Sequence, residues 1–154
     1  MDFQLHLHVE TVGQCHSDEP LCLSPEDSVG DALRAMKEHN QAAVLICQDQ
    51  LLVGIFTERD ALRMMADGAK FDVRLDQVMT RNPGTVSARE TVGRAIAFMS
   101  RHGYRRLPIV DDQRRPVGMI KVEGILRYLV EHFPAVIYNL PPEPHQVTQE
   151  REGA

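Results

Sequence analysis

The sequence predicts an α+β fold, two β-α-β-β-α units packed as one pseudo-two-fold module. Three observations carry that prediction. First, the chain repeats itself. Ser28-Val29-Gly30-Asp31-Ala32-Leu33 matches Thr91-Val92-Gly93-Arg94-Ala95-Ile96 at an offset of 63: hydroxyl, Val, Gly, charge, Ala, aliphatic. The match runs on through His39 with His102 and Asp49-Gln50 with Asp112-Gln113. After one inserted residue it resumes, with Val53-Gly54-Ile55 facing Val117-Gly118-Met119. Second, each copy joins a helix-spaced apolar stripe to two short apolar runs around a polar turn. Third, 154 residues leave each unit about 60–70, too few to bury a sheet alone, so the two units are expected to pack sheet to sheet and share one core.

The elements follow in order. Residues 1–19 form an N-terminal extension, and the alternation Phe3-Gln4-Leu5-His6-Leu7-His8-Val9 predicts an added edge strand. The first repeat spans 20–80. It opens with an extended piece, Leu21–Ser24, and then a helix capped by Ser28, with Val29, Ala32, Leu33 and Met36 on one face. Asp31, three residues after Ser28, completes a capping box with Asp in place of the usual Glu. Strands Ala42–Cys47 and Leu51–Phe56 flank the turn Gln48-Asp49-Gln50, and a helix over about Thr57–Ala66 closes the unit. The second repeat spans 81–133. It has Thr85–Ser87, a helix capped by Thr91, strands Leu107–Val110 and Pro116–Ile120, and a helix over about Val122–His132. Met36, Met64, Met65 and Met99 are expected in the core. Residues 134–154, with Pro134, Pro141, Pro142 and Pro144 and a polar finish, read as a Pro-rich arm and tail.

Composition narrows the function classes. With 43% hydrophobic and 25% charged residues the chain is of soluble globular type, and its longest apolar runs are far too short for a membrane span. Met1-Asp2-Phe3-Gln4 has no basic leader, which points to the cytoplasm. Cys15, Cys22 and Cys47 are odd in number and lack a CxxC spacing, so reduced thiols are expected. The net charge of −5 argues against nucleic acid and is unevenly spread. Residues 1–80 carry 14 acidic and 6 basic side chains, and residues 81–154 carry 8 and 11, so an anion site should lean on the second half.

Chemical motifs are sparse. There is no nucleophile elbow, HExxH, Walker A loop or GxGxxG, so no enzyme is expected and no catalytic residue is assigned. His6 and His8 share a strand face near Cys15, His16 and Cys22, but the spacing is not that of a zinc site, and no metal is expected. Asp111-Asp112 belongs to a hairpin turn.

Gly54-Ile55-Phe56-Thr57-Glu58-Arg59-Asp60, placed at the second strand–helix junction of such a repeat, resembles the CBS domain family. His102-Gly103-Tyr104-Arg105-Arg106-Leu107-Pro108-Ile109-Val110-Asp111 is similar to the family's strand signature. The resemblance covers about residues 20–133 and implies a stand-alone tandem pair, a Bateman module. It further implies a regulatory module that senses energy state by binding adenosine compounds (AMP, ADP, ATP or S-adenosylmethionine) between the repeats. No obligatory cofactor is implied. A homodimeric disc and an unidentified protein partner are. Carried onto this chain, Asp60 would hold the ribose hydroxyls and Thr57, with the helix N-terminus, the phosphate. Ile55 would wall the base, Thr85 and Val86 would lie near adenine, and Tyr104, Arg105 and Pro108 would face them, with Arg105 as phosphate clamp. Thr57 with Asp60 also reads simply as a helix cap, and Arg101, Arg105, Arg106, Arg114 and Arg115 as a solvated face.

The second junction departs from the pattern. Lys121 stands where Thr is expected and Gly124 where Asp is, and the facing Gln41 and Ala42 offer no cation. Lys121 could still reach a phosphate from the other cleft. One competent site per chain is expected. The alternative reading is a dimerisation or docking scaffold with a vestigial cleft.

Overall fold

The computed structural model describes residues 7–133. Residues 1–6 and the Pro-rich arm, 134–154, lie outside the described residues. In chain order the elements are a 3-10 turn (Val12–Gln14), β1 (Ser17–Asp18), β2 (Cys22–Leu23), α1 (Val29–His39), β3 (Ala43–Gln48), β4 (Leu51–Thr57) and α2 (Glu58–Ala66). They continue with α3 (Leu75–Val78), β5 (Thr80–Arg81), β6 (Val86–Ser87), α4 (Val92–His102), β7 (Arg106–Val110), β8 (Pro116–Lys121) and α5 (Val122–His132). Both expected β-α-β-β-α units are present.

Local chemistry sets the boundaries. The Ser28 hydroxyl accepts from Asp31 N at 3.1 Å, and the Asp31 carboxylate accepts from Ser28 N at 3.0 Å, so the capping box forms as read. Thr91 caps α4 by accepting from Arg94 N at 3.2 Å. Asn40, just past α1, takes the left-handed conformation that stops a helix. Between β3 and β4, Asp49 and Gln50 both have positive φ, the backbone of a two-residue hairpin turn. Between β7 and β8, Asp111 accepts from Gln113 N and Arg115 N, both at 2.9 Å, and from Arg115 Nε at 2.8 Å. Those bonds, the Arg115 backbone bond first, hold its carboxyl below the usual range.

The described residues form two four-stranded sheets, ordered β2-β3-β4-β5 and β1-β8-β7-β6. In each, the short strand before the first helix pairs in parallel with the hairpin and a short outer strand pairs antiparallel. The outer strands are exchanged between repeats. Thr80–Arg81, just ahead of the second repeat's helix, edges the first sheet, and Ser17–Asp18 edges the second. The leading turns follow them. Leu75, fully buried, sits in the first repeat's core, and Val12, 1% exposed, in the second's. Matching backbone bonds fasten both: Leu75 N to Asp27 O and Val12 N to Glu90 O, each 2.8 Å. These outer strands, and α3 with its 3-10 counterpart, lie in segments with too few residues for a readable period. Where an edge strand was expected over residues 3–9, the described residues 7–9 are helical.

The expectation of one shared core is corrected. Val29, Ala32, Met36, Val44, Ile46, Phe56, Ala61 and Leu75 make one core beneath the helices of the first repeat. Val12, Val86, Val92, Met99, Leu107, Ile109, Ile120, Ile125 and Leu129 belong to a second. A smaller third cluster, Ala43, Leu45, Leu52 and Met119, joins the sheets. Strand alternation divides β3 between them, with Val44 and Ile46 on the helix face and Ala43 and Leu45 on the facing-sheet side. Of the four methionines, Met36 and Met99 are buried and Met64 is half-buried, but Met65 is 55% exposed. It falls on the outer face of α2.

Candidate ligand cleft

A cleft of about 620 Å³ opens between the repeats, within the usual range for a small-molecule site. The first repeat supplies the end of β4 and the start of α2, and the second supplies the turn into β7. Six of the anticipated residues meet there: Ile55, Thr57, Asp60, Tyr104, Arg105 and Pro108.

Thr57 and Asp60 are fixed by the start of α2. Thr57 N and Thr57 Oγ1 both donate to Asp60 Oδ2, at 2.9 and 3.0 Å, and Asp60 N donates back to Thr57 Oγ1 at 3.4 Å. The capping reading of this pair is therefore correct. It also prepares the carboxylate. One oxygen is anchored, and Oδ1 has no hydrogen bond among the described residues. The helix N-terminus itself offers less than expected, because Glu58 N is spent on Ala42 O at 3.0 Å and Asp60 N on Thr57. Across the cleft Tyr104 is 43% exposed, with its ring stacked on His102 at 5.5 Å and tilted against Phe98 at 6.0 Å.

Thr85, Val86 and Lys121 do not line this cleft. Val86 is 2% exposed and its side chain lies in the second core. Pro83 and Gly84 take that stretch of wall instead. Lys121 Nζ is engaged by Asp18 Oδ2 at 2.7 Å. Sequence reasoning left out Glu58, Arg59, Arg63, Thr80 and Arg106. The available signal was the spacing of Arg59 and Arg63, four apart and so on one side of α2.

The second junction is covered by the chain's own N-terminal segment. A Cβ on Gly124 would lie 2.4 Å from His16 O, so the carboxylate absent from this position has no room there. Ser17 and Asp18 run antiparallel to Ile120 and Met119, and His16 Nε2 meets Glu131 Oε2 at 2.8 Å. That contact with His16 is the main cause of a Glu131 carboxyl held below its ordinary range.

The thiols do not converge on one point. Cys15 is buried, and burial pushes its thiol up to about 11. Cys22 on β2 and Cys47 on β3 are neighbours that line one surface hollow. Among the described residues no group of three or more His, Cys, Asp or Glu is placed to hold a metal, and no helix is long and apolar enough to cross a membrane.

Comparison with known proteins places this architecture. The family model for the CBS domain matches twice, over residues 12–67 and 75–131. The CBS domain-containing protein YhcV of Bacillus subtilis is 33% identical over 99 residues, which cover 64% of this chain and 70% of YhcV. Inosine-5'-monophosphate dehydrogenase of the same organism is 34% identical over 110 residues, 69% of this chain but only 22% of that enzyme. Among solved structures, the CBS domain pair of protein MJ0100, in complex with 5'-methylthioadenosine and S-adenosyl-L-methionine, superposes with a TM-score of 0.71 at 30% identity. That match covers 79% of this chain and 96% of that one. Two family matches across most of the described chain, with two repeats folded as a pair, make this protein a member of the CBS domain family, a tandem CBS pair.

Proposed function

We propose that the chain is a regulatory module that binds an adenosine compound (AMP, ADP, ATP or S-adenosylmethionine) in the cleft between its repeats and signals to a protein partner. The carrying observation is the meeting of Ile55, Thr57 and Asp60 from one repeat with Tyr104, Arg105 and Pro108 from the other. The adenosine compounds held by the MJ0100 pair support the ligand class. Asp60 Oδ1 is the acceptor for ribose hydroxyls, Ile55 and Tyr104 flank the base, and Arg105 meets the anionic end. Thr85 and Val86 take no part in these contacts.

A ligand that touches both repeats stabilises only those arrangements that keep the two walls at the right separation, so binding shifts a population. That shift is the signal. On this reading the module senses energy state, works in the cytoplasm as a homodimer, and has no catalytic role. The stretch similar to the dehydrogenase is a fifth of that enzyme.

The test is a thermal-shift series with AMP, ADP, ATP and S-adenosylmethionine, with GTP as control. Asp60→Asn is the variant to run alongside, because Asp60→Ala would also remove half of the α2 cap. An adenosine-specific rise in Tm that Asp60→Asn abolishes is expected; at about 100 Kd of ligand it amounts to about 2.7 kcal/mol. A flat response to every compound turns the reading to the docking scaffold, which the covered second junction favours.

A further inference from the structure

Resting on the reading of the cleft as an adenosine-ligand site, we infer that its preferred occupant carries a di- or triphosphate tail, gripped by Arg59, Arg63, Arg105 and Arg106. A monophosphate leaves part of this grip unused, and a sulfonium meets repulsion.

The argument is one of charge and of spent donors. Four arginines line the cleft against two acidic residues, Glu58 and Asp60. Asp60 already gives one oxygen to Thr57. None of the four guanidiniums has an ion-pair or hydrogen-bond partner among the described residues. Elsewhere on this chain arginines near carboxylates are paired: Arg34 with Asp31, Arg74 with Asp76, Arg89 with Asp112, Arg115 with Asp111. The cleft therefore gathers cations without neutralising them.

The backbone cannot be the main anion holder, since two of the first three N–H groups of α2 are committed. The side chains must do it. They stand on both walls, Arg59 and Arg63 on α2 and Arg105 and Arg106 at the start of β7. One phosphate has too few oxygens to meet four planar forks, whereas a chain of two or three phosphates can meet them from both sides. S-adenosylmethionine brings a positive sulfur into the same field.

The experiment is calorimetric titration of the full chain with AMP, ADP, ATP, S-adenosylmethionine and inorganic tripolyphosphate, with Arg59→Gln/Arg63→Gln and Arg105→Gln alongside. ATP is expected to bind at least about tenfold tighter than AMP, with S-adenosylmethionine weakest. Arg59→Gln/Arg63→Gln should bring ATP close to AMP while AMP itself changes by less than about threefold. Raising salt from about 0.05 to about 0.3 M should erode the ATP advantage. AMP binding as tightly as ATP, or S-adenosylmethionine binding tightest, overturns the inference and leaves the adenosine reading standing. If no adenosine compound binds, that reading falls and the inference with it, whatever tripolyphosphate does.

Discussion

Thr57 shows how one residue serves both fold and site. Its hydroxyl starts α2 and its bonds hold the Asp60 carboxylate in place. Thr57→Ala should cost about 1 kcal/mol of stability in urea and also weaken ligand binding, whereas Thr57→Ser should restore both. This pair was legible in the sequence because its geometry is local: a cap and its third residue are three positions apart whatever the rest of the chain does. Arg59, Arg63 and Arg106 were visible as charges but not as cleft walls, because sheet packing decides which side of α2 faces the second repeat. The Cys22–Cys47 pair was illegible for the same reason. Its two thiols are 25 positions apart and meet only once β2 lies along β3. Donation from the neighbouring Cys47 thiol favours the Cys22 thiolate and lowers the Cys22 pKa from 9.0 to about 7, while Cys47 is raised. A lowered pKa means thiolate already forms near neutrality. Iodoacetamide should therefore modify exposed Cys22 first, with a rate rising through about pH 7, and Cys47→Ala, which removes the donor, should move that midpoint upward. A midpoint near 9 in the parent protein would sink this account.

At the scale of elements, the long helices and both hairpins were readable from periodicity and caps. The exchange of outer strands was not, since two-residue strands carry no pattern. Yet that exchange determines what each junction can bind. Over the second junction the backbone of His16 crosses Gly124, and Lys121 is tied to Asp18. The Lys and Gly at these positions thus have a structural cause: the N-terminal segment occupies the space. Gly124→Ala tests it. Alanine in a helix ordinarily gains about 1 kcal/mol over glycine. Here its Cβ would sit 2.4 Å from a backbone oxygen, so the sign should reverse, to a loss of about 1–3 kcal/mol in urea unfolding. Gly30→Ala, in the first turn of α1, is the control. Its nearest contact would be 3.5 Å, so it should be neutral or stabilising. Equal effects at the two glycines would mean that the segment does not cover the junction.

For the whole molecule, the pseudo-two-fold repeats its exposed apolar residues as well as its core. Leu62 on α2 is 66% exposed and Leu126, its counterpart on α5, 56%, and Met65, also on α2, is 55% exposed. Next to Leu126 lies an apolar groove of about 430 Å³ between α4 and α5, lined by Ile96, Met99, Ile125 and Leu129. The proposed homodimer would bury such apolar helix residues from both repeats. Tyr104 and Arg105 line both this groove and the ligand cleft. If the proposed dimer seats on this groove, it and the ligand meet at these residues from different sides, and whatever coupling results must be reciprocal. Leu62→Lys/Leu126→Lys changes only exposed side chains, so the fold should persist by circular dichroism while sedimentation shifts from dimer to monomer. The same variant should change the nucleotide Kd, by about fivefold or more if the coupling has the usual size. A parent protein that sediments as a monomer at about 100 μM would remove the homodimer. A monomeric variant with an unaltered Kd would leave the dimer in place but cut its link to the cleft, so the signal would then have to leave the module by another surface.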